Sequence, residues 1–329
     1  MNRDTLEQNQ IPIYFLAVIA AAIGGLISPS AAQGLNVLVT PTIAVLMYAM
    51  FLQIPFLDLR EGLSNKRFMS ALLIANFVLI PLLVWGITRG LLDHPAILVG
   101  ALLVLLTPCI DYVVVFTHIG KGDSRAILSA TPVLLLLQFV LLPVYLALML
   151  GRQSEIAISI GPFVEAFILL IVAPLFLAVA TAAAAKRSNI VAGWNAAWAW
   201  LPVPAMAAVL IVVVGSQISS VVRDINLLAP VIPVYIGFLI LAPLLGALAS
   251  GVAKLPATTA RAVTFSSSTR NSLVVLPLAL ALPEDIRGLA AAAVITQTLV
   301  ELVGELIYIR VIPALVWRGN PALRRQFPQ

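Results

Sequence analysis

The sequence is poor in charged residues. Asp, Glu, Lys and Arg make up only 10% of its 329 residues, whereas apolar residues make up 61%. A soluble globular domain carries roughly 25% charged residues. This deficit excludes a soluble enzyme or binding domain as the bulk of the chain. It indicates an all-α polytopic membrane protein, because a helix that crosses a bilayer needs about 20 mainly apolar residues.

Cysteine is almost absent, with Cys109 as the single example. One thiol allows no disulfide within the chain and no metal site built from several thiolates. The P-loop, GxSxG, HExxH and dinucleotide-binding motifs are also missing. ATP-driven pumping and enzyme catalysis therefore lack the residues they need, and no cofactor is expected. The net charge of +5 comes without a basic patch interleaved with aromatic residues, which argues against nucleic-acid binding.

Long apolar runs dominate the chain and predict about ten transmembrane helices. The runs cover approximately residues 11–28, 37–57, 68–88, 96–119, 126–150, 160–185, 192–214, 229–252, 262–282 and 289–311. Alternate loops carry most of the Lys and Arg residues. By the positive-inside rule, this asymmetry predicts a protein of the cell (inner) membrane with both termini cytoplasmic. Its expected partners are the lipid bilayer, a small inorganic or organic substrate, and protons or sodium ions.

A polar stretch at 151–161 divides the chain into halves, 1–150 and 151–329, with five predicted spans in each. An odd number of spans per half places the two halves in opposite orientations. We therefore predict two inverted five-helix repeats, an arrangement typical of secondary transporters.

The fourth and ninth spans are interrupted by polar residues. In the fourth, Pro108 removes a backbone donor deep in the span, and in the ninth a run of hydroxyl side chains leads to Arg270. Breaks at matching places in inverted halves predict a substrate site near the bilayer midplane. A simple proline kink and a Ser-rich packing surface are the alternative. The predicted substrate-binding residues are Cys109, Asp111, Arg270 and Asn271, and the possible cation ligands are Thr107, Ser267, Ser268, Thr269 and Gln297.

Ionisable residues inside the predicted spans need partners, because a lone charge at the bilayer centre costs at least ~2.5–3.5 kcal/mol. We predict that the broken helices cross and that Asp111 pairs with Arg270; the alternative is that either residue reaches an interface. Glu301 and Glu305 lie four residues apart on one face of the tenth span. Two carboxylates on one apolar face repel each other when both are ionised, which predicts proton coupling at this pair. Simple solvation of Glu305 near a helix end is the alternative.

These residues resemble the arsenite-efflux permeases of the bile acid/arsenite/riboflavin transporter superfamily. The resemblance rests on the segment 107–112 continuing to 121–123, on 270–272 and on Glu301. It implies ten helices in two inverted halves, with Cys109 as the metalloid ligand and Glu301 as the residue tied to transport that supplies the exchangeable proton. The implied activity is export of arsenite, and of antimonite, driven by proton entry. Pro108 before the cysteine and Arg270 in the ninth-helix break depart from the main family pattern.

Two other functions stay open at this stage. A sodium-coupled symporter of an organic anion would use the hydroxyl and amide oxygens near the breaks as sodium ligands, and Arg270 would meet the substrate carboxylate. A membrane scaffold or sensor without transport is the third, and it leaves the paired breaks and buried charges without a purpose.

Overall fold

The computed structural model describes residues 6, 9–53, 65–110, 112–150, 165 and 168–318. Nearly all of them are helical. The helices are α1 (Gln10–Ile27), α2 (Pro29–Gly34), α3 (Asn36–Gln53), α4 (Lys66–Ile74), α5 (Ile80–Ile87), α6 (Pro95–Leu105), α7 (Val113–Ile119), α8 (Ser124–Leu150), α9 (Ala173–Ala185), α10 (Asn189–Trp198), α11 (Pro202–Arg223), α12 (Ile225–Leu228), α13 (Val231–Val252), α14 (Ala257–Ser268), α15 (Ser272–Leu280) and α16 (Glu284–Arg318). A π-helical turn at Ala75–Leu79 joins α4 to α5, a 3-10 turn (Thr88–Leu91) follows α5, and a second π-helical turn (Ile168–Val172) precedes α9.

Five helical runs in the described part of the chain are long and apolar enough to cross a membrane. They are α3, the run Lys66–Leu91 through the π-helical turn, α8, α11 and α13. Shorter apolar helices include α6, α9 and most of α1. The predicted all-α, polytopic membrane fold is confirmed, and the described residues contain no strand beyond one isolated bridge.

The fourth and ninth predicted spans are interrupted at the places the sequence indicates. α6 ends at Leu105 and α7 begins at Val113, whereas α14 ends at Ser268 and α15 begins at Ser272. The seventh span differs from its prediction, because residues 189–198 form the separate helix α10 and the long helix α11 starts only at Pro202. The residue before a proline is disfavoured in helical conformation, which explains the stop before Pro202.

The described residues fall into two compact units, and each unit takes segments from both sequence halves. The first unit comprises Met1–Ile54, Ile158–Leu227 and Leu276–Gly288. Within it, α11 packs against α1 and α3, and α9 packs against α3. The Tyr48 hydroxyl, which lies 2.9 Å from Thr181 Oγ1, also accepts a hydrogen bond from Trp194 Nε1 at 3.2 Å. These polar contacts tie α3, α9 and α10 together.

The second unit comprises Pro55–Ala157, Leu228–Val275 and Leu289–Gln329. Here α13 packs along α14, and both contact α4. Gly246 of α13 allows this close approach, because an added Cβ there would collide with Ser267 Oγ and would lie 2.8 Å from Thr264 Cα. Small residues at such contacts are typical of membrane helix pairs. Every predicted site residue that the structure describes belongs to this unit. The compact units do not coincide with the sequence halves, and the inverted repeat stays a prediction.

Candidate substrate site at the crossing of two broken helices

The break in the fourth span opens where backbone hydrogen bonding along α6 stops. The Thr107 hydroxyl is fully buried and donates back to the carbonyls of Leu103 (2.9 Å) or Val104 (3.1 Å). Pro108 has no N–H to continue the helix. Cys109 follows, also fully buried. Asp111 lies outside the described residues, so its predicted contact with Arg270 stays a prediction.

The break in the ninth span begins after Ser268. Thr269 adopts an extended conformation (φ −102°, ψ 130°), which ends α14. The helix resumes with Asn271 as its cap, because Asn271 Oδ1 accepts from the backbone N–H of Val274 at 3.3 Å. Arg270 and Asn271 are both buried.

The two breaks meet and pair through their backbones. Cys109 N–H donates to the carbonyl of Thr269 at 3.1 Å, and Asn271 N–H donates to the carbonyl of Thr107 at 2.9 Å. Pro108 and Arg270 form an antiparallel bridge between these bonds. Backbone groups buried in a membrane protein must find hydrogen-bond partners inside the protein. Here each break supplies partners for backbone groups of the other break. We call this element, residues 107–109 with 269–271, the crossing.

Glu301 of α16 binds the crossing from the side. Its two carboxylate oxygens each lie 3.0 Å from the backbone nitrogen of Arg270. The Tyr112 hydroxyl lies 2.6 Å from Glu301 Oε1 and 3.0 Å from the carbonyl oxygen of Arg270. Gln297 Nε2 donates to Glu301 Oε2. Three donors therefore converge on one buried carboxylate, and charged acceptors form the stronger class of hydrogen bond.

Glu305 lies one turn further along α16 and is also fully buried. Its Oε1 atom is 2.7 Å from the Thr269 hydroxyl oxygen. That hydroxyl oxygen is also 2.8 Å from the carbonyl oxygen of Phe265. The second carboxyl oxygen, Oε2, has no hydrogen-bond partner among the described residues. The two carboxyl groups that the sequence predicts for proton coupling therefore both contact the crossing, in different surroundings.

The guanidinium of Arg270 is held by neutral groups. Its Nη2 donates to Asn76 Oδ1 at 2.9 Å and to the carbonyl of Ser266 at 2.8 Å, and its Nη1 lies 3.5 Å from the carbonyl of Leu105. The central guanidinium carbon, Cζ, is 5.4 Å from the centre of the Phe238 ring, within cation–π range. In the described part of the chain, no carboxylate forms a salt bridge with Arg270.

Asn76 is the site residue that sequence analysis missed. It lies in the π-helical turn, is fully buried, and donates through Nδ2 to Ser266 Oγ and to the carbonyl of Leu72, both at 3.1 Å. Its amide thus orients Arg270 and α14 together. The available signal was a lone asparagine inside the third apolar run. π-helical turns inside α-helices often mark functional sites.

Buried polar atoms without partners cluster around the crossing. Those without a hydrogen bond within the described ranges are Arg270 Nε, Asn271 Nδ2, Ser272 Oγ, Gln297 Oε1 and Glu305 Oε2. Such atoms are rare in native proteins and point to an unseen ligand or water. By contrast, the hydroxyls of Ser267 and Ser268 donate to the carbonyl of Thr264, at 3.0 and 2.7 Å. Their lone pairs remain available to a cation.

No group of three or more His, Cys, Asp or Glu side chains that could hold a resident metal ion occurs among the residues described.

Comparison with known proteins identifies the family. The model of the sodium bile acid symporter family matches residues 40–224, more than half of the chain. The chain belongs to this family. The matched segment includes Cys109 and ends before the ninth-helix break. Among curated proteins no sequence match is found.

Membership of the sodium bile acid symporter family makes the chain a multi-pass membrane transporter, as the sequence predicted. The family match supports the superfamily named from the sequence. It does not distinguish the arsenite-efflux branch from the bile-acid branch. The choice between these substrates depends on the chemistry of the crossing.

Proposed function

We propose that this transporter exports arsenite, with antimonite as a second cargo, in exchange for protons. The observation that carries the proposal is the position of the single thiol. Cys109 is fully buried and belongs to the crossing, with its N–H bound to the Thr269 carbonyl, and the described residues around the crossing include five polar atoms without a hydrogen-bond partner.

The proposed chemistry suits a single thiol. Arsenite is the neutral trihydroxide at neutral pH, and soft trivalent arsenic prefers sulfur ligands. The Cys109 thiol replaces one hydroxyl: an As–S bond forms, an As–O bond breaks, and the thiol hydrogen leaves with the hydroxyl as water. The reverse step releases the cargo. One As–S bond is reversible, whereas three thiolates would hold arsenic too tightly for transport.

The surroundings of Arg270 support a neutral cargo. An anionic substrate needs a cationic group that can face it. Within the described residues, the terminal nitrogens of Arg270 instead contact Asn76 and the Ser266 and Leu105 carbonyls, the guanidinium lies over the Phe238 ring, and Nε has no hydrogen-bond partner. These contacts give Arg270 a structural role, so the departure from the main family pattern is compatible with a neutral arsenic hydroxide.

The test of this proposal is arsenite resistance in a bacterial host that lacks its own arsenite efflux. The Cys109→Ser variant keeps nearly the same shape and removes the thiol, and we expect it to lose resistance. Ser216→Ala serves as the matched control with most of the resistance retained, because it removes a buried hydroxyl outside the crossing that donates to the Val213 carbonyl at 3.1 Å. Both variants are compared at equal membrane abundance. Full resistance in the Cys109→Ser variant would rule out the thiol mechanism.

A second candidate is sodium-coupled symport of an organic anion. The family match favours it, and the partnerless oxygens of Gln297 and Glu305 are the hard ligands that sodium prefers. Asn271 Nδ2 and Ser272 Oγ could donate to a substrate carboxylate. The first turn of α15, whose helix dipole favours anions, lies beside them. In this candidate Thr107, Ser267, Ser268 and Thr269 add further oxygens near the sodium ion.

Vesicle transport assays separate the two candidates. Purified transporter is reconstituted, and uptake of labelled arsenite and of labelled taurocholate is compared under imposed proton and sodium gradients. Arsenite movement driven by the proton gradient, with no response to sodium, supports export. Sodium-driven taurocholate uptake that arsenite does not affect supports symport and contradicts our proposal.

A further inference from the structure

The carboxyl groups of Glu301 and Glu305 on α16 receive very different numbers of hydrogen bonds. Glu301 accepts from the Arg270 backbone N–H, the Tyr112 hydroxyl and the Gln297 amide. Hydrogen bonds donated to a carboxylate stabilise its ionised form. The Tyr112 hydroxyl has one hydrogen and also lies 3.0 Å from the Arg270 carbonyl oxygen, but the Arg270 N–H and the Gln297 amide donate to Glu301 in either case. The surroundings of Glu301 therefore favour the ionised form more than those of Glu305 do.

Among the residues that the structure describes, the Thr269 hydroxyl is the one group with a hydrogen-bond contact to the Glu305 carboxyl group. This hydroxyl carries one hydrogen but has two oxygens in reach, Glu305 Oε1 at 2.7 Å and the Phe265 carbonyl at 2.8 Å. An ionised Glu305 would be a fully buried charge with at most one hydrogen bond. Burial of a charge with so little compensation is strongly unfavourable.

We infer that Glu305, and not Glu301, carries the exchangeable proton of transport. The proton resides on Glu305 Oε1 and is donated to Thr269 Oγ1, and the Thr269 hydrogen goes to the Phe265 carbonyl. Each hydrogen then has one acceptor. Glu301 stays ionised and holds the crossing. This assignment of roles rests on the proposed proton-coupled function and refines it.

The charges around Glu305 agree with this assignment. Glu301 and Tyr308, both on its own helix, are the titratable groups that interact with Glu305 in the described part of the chain. The Tyr308 hydroxyl donates a hydrogen bond to the Leu239 carbonyl at 2.7 Å, so its hydrogen is not available to Glu305. With Glu305 neutral, the described residues of this network hold one cation, Arg270, and one anion, Glu301. Loss of the proton adds a second anion one helical turn from the first.

Thr269 links the proton to the cargo. Its hydroxyl contacts Glu305, and its backbone carbonyl accepts the N–H of Cys109 at 3.1 Å. Deprotonation of Glu305 would draw the Thr269 hydroxyl from Phe265 toward the carboxylate. A rotation of the Thr269 side chain acts on the same residue whose backbone carbonyl accepts the N–H of Cys109. Proton release and cargo binding are therefore coupled through one side chain and its own backbone.

Infrared difference spectroscopy tests the location of the proton without any substrate. Purified full-length protein in nanodiscs at neutral pH should show the C=O stretch of a protonated carboxylic acid, and this band should vanish in Glu305→Gln. Thr269→Val removes the hydrogen-bond acceptor and should shift the band to higher frequency, and Thr269→Ser should restore it. An unchanged band in Glu305→Gln, or its absence from the wild-type protein, would overturn the inference.

Transport assays then separate failure of this inference from failure of the proposed function. Glu305→Gln mimics the protonated state, so we expect arsenite exchange to persist while accumulation driven by a proton gradient is lost. Proton-driven accumulation that survives in Glu305→Gln contradicts the inference alone. Absence of arsenite movement in the wild-type protein contradicts the proposed function, and the infrared result still decides which carboxyl group is protonated.

Discussion

At the scale of single residues, the Tyr112 hydroxyl is one of three donors to Glu301, at 2.6 Å. Tyr112→Phe deletes it and keeps the ring. We expect a loss of about 1.5–3 kcal/mol in stability, the range for a hydrogen bond to a charged group, together with reduced transport. Thermal unfolding of the purified protein in detergent measures the first effect.

The matched control for Tyr112 is Tyr235→Phe in the same unit. Tyr235 is also buried, but its hydroxyl donates to a neutral acceptor, the carbonyl of Ala293, at 2.8 Å. We expect this control to lose only about 0.5–1.5 kcal/mol and to keep its transport. Equal losses of stability in Tyr112→Phe and Tyr235→Phe would show that Glu301 is not a charged acceptor.

Asn76 supplies the second prediction at this scale. Asn76→Leu removes the side-chain acceptor of the Arg270 guanidinium and leaves a buried cation with fewer partners. We expect destabilisation by about 3 kcal/mol, since an unsatisfied charged group costs more than a neutral one. Adding Arg270→Met to the Asn76→Leu variant should recover most of the lost stability, because it removes the charge and keeps the backbone N–H that binds Glu301.

A double-mutant cycle on Asn76 and Arg270 measures their coupling directly. A coupling energy near zero would contradict the structural role assigned to Arg270. It would leave the guanidinium available to a substrate anion, and the second candidate function would gain support.

At the scale of helices, α13 and α14 pack closely because Gly246 has no side chain. Gly246→Ala places a Cβ against Ser267 and the Thr264 backbone, so α14 must shift and with it the crossing. We expect a lower unfolding temperature and reduced transport. Gly237→Ala on the same helix is the control, because a Cβ there meets no atom within 4 Å. It should be neutral or stabilising, since alanine favours helix over glycine by about 1 kcal/mol.

The sequence predicted this part of the fold only in outline. Proline, threonine and serine inside apolar runs revealed where the helices break, because those residues disrupt helical hydrogen bonding locally. The partners of each side chain depend on packing between distant segments, which local patterns do not encode. The hydrogen bond between Arg270 and Asn76 joins residues 194 positions apart, and the sequence near either residue does not predict it. The same holds for the unequal surroundings of Glu301 and Glu305, which share one helix face but contact different residues of the crossing.

At the scale of the whole molecule, composition was sufficient to predict a polytopic α-helical membrane protein. It was not sufficient to predict the compact units, since each unit assembles segments from both halves of the chain. The order of spans along the chain predicts the repeat, whereas the contacts in the structure define the units. An inverted repeat allows both statements to hold, because equivalent segments of the two halves can pack together.

The orientation of the chain gives the last prediction. If each half has the five predicted spans, the segment at 151–160 and the chain end after residue 318 lie on opposite membrane faces, and the positive-inside rule predicts a cytoplasmic chain end. Alkaline phosphatase, active only outside the cytoplasm, should be active when fused at the first position and inactive at the second. Green fluorescent protein should give the reverse pattern. The same reporter signal at both positions would mean an even number of spans between them, and the halves would then be parallel, which removes the inverted repeat on which the matched breaks depend.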